Sequence, residues 1–97
     1  LKQMHTLTVC DFEQHLNKAF QIRSIAPDLQ LSLIEVTAIG QGAREGGAFS
    51  TLWQGPKEPV LEQAIHTIYQ PDFGEQEVFL VPVAEKDAGI QYEAVFT

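Results

Sequence analysis

Among the 97 residues of this chain, His5, Cys10, His15 and His66 are the ones best able to hold a metal ion or act in catalysis. Their spacing favours neither role. No pair has zinc-finger spacing, and there is no CxxC or HExxH. Cys10 and His15 lie a little over one turn apart on an expected helix, so they point to different faces. Cys10 has no Cys–His–Asx arrangement around it and reads as a structural or incidental cysteine. Ser50, His66 and Asp72 make a nominal triad, but a domain of this size supplies such a set by chance and no nucleophile elbow is present. Glu75 and Glu77 share one strand face, where two outward carboxylates repel each other instead of working across a cleft. Gly40-Gln41-Gly42-Ala43-Arg44-Glu45-Gly46-Gly47 has the glycines and the cation of an anion cradle, but phosphate loops open a helix and here a strand follows. It reads as a hairpin loop whose tip, Arg44, is a candidate contact for a partner. No catalytic residue, cofactor or metal is expected.

The elements that would position these residues are mostly strands. Thr8 with Asp11 forms a short capping box, Leu7 and Phe12 sit where a hydrophobic staple places them, and Asn17 suits a helix end. The pattern predicts a helix over about residues 9 to 17. After it, residues 19 to 23 alternate weakly, Pro27-Asp28 marks a turn, and Leu29-Gln30-Leu31-Ser32-Leu33 alternates strictly. The phase flips at Leu33-Ile34, which predicts a bulge or strong bend. Further strands are expected at 48 to 54, in the β-branched stretch up to Tyr69, at about 76 to 84 and at 90 to 96. Glu85-Lys86-Asp87-Ala88-Gly89 supplies a hairpin turn. Residues 58 to 70 also fit a helical stripe; the strand reading is preferred for the second half because Ile65, Thr67, Ile68 and Tyr69 favour strands.

Two further residues join Arg44 as candidate interaction sites. Phe49, Thr51 and Trp53 share a face. The core reading of that face is preferred, and an outward one would make Trp53 a docking hot spot. Pro82 lacks the ladder donor, so its strand should be an edge or bulged there. The expected core is Phe12, Leu16, Phe20, Leu31, Leu33, Val36, Phe49, Leu52, Ile65, Tyr69, Phe79, Val81, Tyr92, Ala94 and Phe96.

A single domain spanning residues 1–97 is expected, with 44% hydrophobic and 20% charged residues, ordinary for a globular protein. Thirteen acids against six Lys and Arg leave a formal net charge of −7. That disfavours nucleic acid and anionic lipid as partners, and no apolar run is long enough to span a bilayer. With one cysteine the fold needs no oxidising compartment. Leu1-Lys2-Gln3-Met4-His5 lacks the apolar core of a signal peptide, and Leu1 is no ordinary initiator. A cytoplasmic location is expected, with this start read as a boundary.

Several stretches carry a family resemblance. Phe49-Ser50-Thr51-Leu52-Trp53-Gln54-Gly55-Pro56, Gln63 to Pro71, Phe73-Gly74-Glu75, Val78 to Val83 and Tyr92-Glu93-Ala94-Val95-Phe96, with Leu7-Thr8, Phe12 and Phe20 before them, resemble the bacterial domain of unknown function 6916 over nearly the whole chain. These are turn and core patterns, so the resemblance implies a fold and no chemistry. It also implies a setting near bacterial phage-tail-collar-like or appendage proteins. The fold expected is mainly β: a small antiparallel β-barrel-like or rolled sheet of five to six strands with one short N-terminal helix. The function expected is a non-enzymatic protein-interaction or assembly module, through a protein partner or self-association; the alternative is a small-ligand-binding β-barrel, with an enzyme a distant third.

Overall fold

A computed structural model describes residues 7–40 and 47–96. Among them are a short helix, α1 (Val9–Glu13), and six strands: β1 (Ala19–Ile22), β2 (Leu29–Gly40), β3 (Ala48–Pro56), β4 (Ala64–Gln70), β5 (Gly74–Lys86) and β6 (Gly89–Phe96). The strands pair antiparallel in the order β1-β2-β3-β6-β5-β4, and β4 returns to β1. The result is the barrel-like ring expected of the sequence.

Local chemistry explains each element. Asp11 accepts the Thr8 backbone N–H at 2.8 Å and its hydroxyl at 3.2 Å, which starts the helix as a capping box does. The helix is shorter than the predicted span because the chain must turn to meet β2. Asn17 takes the left-handed conformation, with φ of 67°. It then donates its N–H to the Leu33 carbonyl at 2.6 Å, and Leu33 donates back to Lys18 at 3.1 Å. The β2–β3 register slips between Leu33 and Glu35, at the predicted phase flip. Residues 64 to 70 are strand, as preferred over the helical reading. At the β5–β6 hairpin, Asp87 and Ala88 both have positive φ, as a type I′ turn requires.

The core is an aromatic cluster seated by the helix. Phe12 is fully buried and its ring lies 5.1 to 6.2 Å from those of Phe49, Trp53, Phe73 and Phe96. Phe20 adds an edge-to-face contact with Trp53 at 4.9 Å. Below this layer Ile22, Leu31, Leu33, Ile68, Leu80 and Tyr92 complete a filled interior. The Tyr92 hydroxyl accepts the Leu61 N–H at 2.8 Å, which pins the β3–β4 connection onto the ring.

Part of the expected core is corrected. Ile65 is 64% and Phe79 50% exposed, and Leu16 lies at the surface. Val36, Leu52, Tyr69, Val81 and Phe96 are half-buried. In β4 the inward residues are His66, Ile68 and Gln70, and in β5 they are Val78 and Leu80. The inner parity of β4 is the one carrying the polar groups that the structure needs. Gln70 Oε1 accepts the N–H groups of Asp72 and Phe73 at 2.8 and 2.9 Å and so shapes the β4–β5 turn. Pairing of Ile65 with Phe79 and of His66 with Val78 then sets the phase of β5.

Two stability predictions follow from this packing. Phe12→Ala should cost about 3–5 kcal/mol, as for a large buried aromatic, seen as a lower denaturant midpoint. Gly89 faces Pro56 across β3 and β6, and a Cβ there would run into the Gly55 carbonyl oxygen. Gly89→Ala should cost about 1–3 kcal/mol, as overpacking does, readable in the same titration.

Candidate functional site

The polar residues that the fold brings together lie along the seam where β1 meets β4. The ladder there is short: Gln21 pairs with Tyr69 and Ile22 with Ile68. Arg23 N–H then donates to the Thr67 carbonyl at 2.8 Å. One step farther in the same register, Ser24 stands opposite His66. Side chains make this rung: Ser24 Oγ lies 2.7 Å from His66 Nδ1. His66 Nε2 lies 2.8 Å from the Glu62 backbone oxygen. A carbonyl only accepts, so Nε2 carries the proton; in the neutral ring Nδ1 is the acceptor and the Ser24 hydroxyl donates to it. His66 is buried, whereas Ser24 is exposed on the β1–β2 turn.

On the outer side of the seam, the Arg23 guanidinium sits 3.7 Å above the Tyr69 ring centroid. Its nitrogens reach Asp28 at 3.8 Å and Glu75 at 3.5 Å. These charges are exposed and their pairing is worth little individually. Stacking and ion pairs together fix the guanidinium over the seam.

A cleft of about 390 Å³ opens beside this rung, lined by Ile25, Ala26, Pro59, Val60, Leu61, Glu62, Ala64 and His66. Its walls are mainly apolar and His66 is its buried polar group. A smaller, more polar cleft of about 120 Å³ lies between α1 and the β4–β5 turn, with Asp11, Gln14, His15, Asp72 and Gln76 among its walls. His15 Nδ1 is buried there with no hydrogen-bond partner among the described residues. Its ring packs edge-on against Phe20 and Phe73. A polar cleft of that volume has room for water.

The residues singled out from sequence are dispersed. Arg44 and His5 lie outside the described residues. Trp53 is fully buried and donates its Nε1–H to Thr51 Oγ1 at 2.9 Å. The outward, docking reading of Trp53 is therefore corrected, and the preferred core reading of its face stands. Pro82 is half-buried opposite Tyr92, just where the β5–β6 register slips before Ala84. Pairing with β4 stops at Leu80, so from Val81 onward β5 pairs with β6 alone. Pro82 thus occupies a local edge next to a bulge. Ser50 sits in β3 between Thr37 and Val95, and the serine that His66 meets is Ser24. No group of three or more potential metal ligands occurs among the described residues. The Ser24–His66 pair was missed because the two are 42 positions apart. The only sequence signal was the shared turn and strand-end position of each, which becomes informative once the β1–β4 register is known.

Among the described residues no helix is long and apolar enough to cross a membrane. Neither curated proteins nor solved structures match the chain in comparison. The family model for the domain of unknown function 6916 matches residues 7–96, which takes in every strand of the ring and the helix that seats its core. The chain belongs to the domain of unknown function 6916 family.

Proposed function

We propose that this chain is a protein-interaction or assembly module that docks through the outer face of β4, β5 and β6. The observation that carries the reading is an apolar row on that face. Ile65 and Phe79 are directly paired across β4 and β5. Val81 pairs with Glu93 across β5 and β6; two positions on, Phe79 and Val95 share the same outer face. Ile65, Phe79 and Val95 are each at least half exposed. A solvated sheet face ordinarily alternates to polar residues, and an apolar patch with a polar rim is the usual mark of a protein contact.

The rim selects the partner. Glu77, paired with Thr67, and Glu93, paired with Val81, place carboxylates beside the apolar row. With the net charge of −7, this favours a partner with an apolar centre and a Lys- and Arg-rich rim over a second copy of the chain. The family resemblance suggests a setting among bacterial phage-tail-collar-like or appendage proteins. The filled interior gives no support to a ligand held inside the barrel.

A photo-cross-linking residue at Phe79, expressed in the native host, should capture one discrete partner that the same residue at Gln30 does not. Against the purified partner, Phe79→Ser should lose about 2 kcal/mol, roughly thirtyfold in affinity. Its folding stability should change by no more than about 0.5 kcal/mol, as for an exposed site. Equal capture at Phe79 and Gln30, or unchanged affinity of the Ser variant, would overturn the reading.

A further inference from the structure

We propose that Ser24 is a nucleophile activated by His66, and that the adjoining cleft takes the apolar acyl group of a small ester or thioester. This inference goes beyond the docking reading and rests on a different face of the molecule.

Three observations carry it. The first is the relay. A serine nucleophile needs a base within hydrogen-bond reach, and the base needs a third group to hold its tautomer. Ser24 Oγ to His66 Nδ1 at 2.7 Å and His66 Nε2 to the Glu62 carbonyl at 2.8 Å supply both. The carbonyl keeps the proton on Nε2, so the nitrogen facing the serine is the basic one. The second is the contrast in exposure. The base is buried and held, whereas the serine lies on an exposed turn where a substrate can reach it. The third is the cleft. At about 390 Å³ it is in the range of small-molecule sites, and Ile25, Pro59, Val60 and Leu61 give it apolar walls. His66 lines it, and Ser24 immediately precedes Ile25. Ile25 and Ala26, the residues that follow Ser24 on its turn, form part of the cleft wall.

The chemistry balances without a co-reactant other than water. Ser24 Oγ forms a bond to the acyl carbon as its proton passes to His66 Nδ1. The bond to the alkoxide or thiolate breaks, and that leaving group takes the proton from Nδ1. Water then attacks the acyl-serine, gives its proton to Nδ1, and releases the acid with return of the proton to Ser24.

The test uses an alkyl fluorophosphonate on the whole chain, read by intact mass and peptide mapping, with p-nitrophenyl butyrate hydrolysis in parallel. Expected are one adduct, on Ser24, with loss of fluoride, and ester hydrolysis that disappears in Ser24→Ala while circular dichroism shows the fold kept. His66→Asn should label about a hundredfold more slowly, the usual share of a general base. Should that variant fail to fold, His66→Gln takes its place with the same slowing expected, and labelling as fast as wild type in a folded His66 variant overturns the relay. Absence of a Ser24 adduct on folded protein overturns the proposal outright. In that case the pair only clasps the seam, and Ser24→Ala would shift the melting temperature without any change in reactivity. Since cross-linking at Phe79 does not involve Ser24, failure here is distinguishable from failure of the docking reading.

Discussion

Closure of the ring at β1 and β4 is the constraint on which the rest of this structure depends. A six-stranded antiparallel sheet left open would expose two rows of unpaired backbone groups. Here β1 is only four residues long and shares just two paired positions with β4. So short a ladder is weak by itself, and side chains extend it. The Arg23 amide, the Ser24–His66 bond and the Arg23–Tyr69 stack continue it on the inner and outer sides. Because closure occurs at this place, the barrel interior has one size, and Phe12 and its aromatic neighbours fill it.

The same seam explains which parts of the fold were legible in the sequence. The helix start, the Leu33–Ile34 bulge, the turns and the strand identity of residues 64 to 70 follow from capping, phase and propensity, which act within a few residues. The facing of β4 and β5 does not. On hydrophobicity alone Ile65 and Tyr69 belong inside and His66 and Gln70 outside. The structure reverses this, because His66 must reach Ser24 and the Glu62 carbonyl, and Gln70 must hold the amides of the following turn. A one-residue change of phase turns every side chain of a strand to the other face. Two buried polar groups, each with long-range or turn-specific partners, therefore decide the facing of two strands. Sequence patterns weigh hydrophobic area and cannot see such partners, so the polar seam and the outward Ile65–Phe79 pair were lost together.

That reversal also links the two functional features. Had β4 taken the other phase, Ile65 and Phe79 would be core residues, Ile68, Val78 and Leu80 would turn outward, and His66 would be solvated and distant from the cleft. The phase observed leaves Ile65 and Phe79 outside but buries Ile68, Val78 and Leu80, side chains worth about 1.5–3 kcal/mol each when fully buried, so apolar burial alone does not choose between the two phases. What the observed phase adds is the polar clasp at the seam and the shaped turn before β5. A natural sequence that departs from its own hydrophobic pattern usually does so where function or strain is located. In this chain the reversed facing of β4 and β5 puts Ile65 and Phe79 on the outer row, beside Val95 of β6, and puts His66 inside, where it meets Ser24.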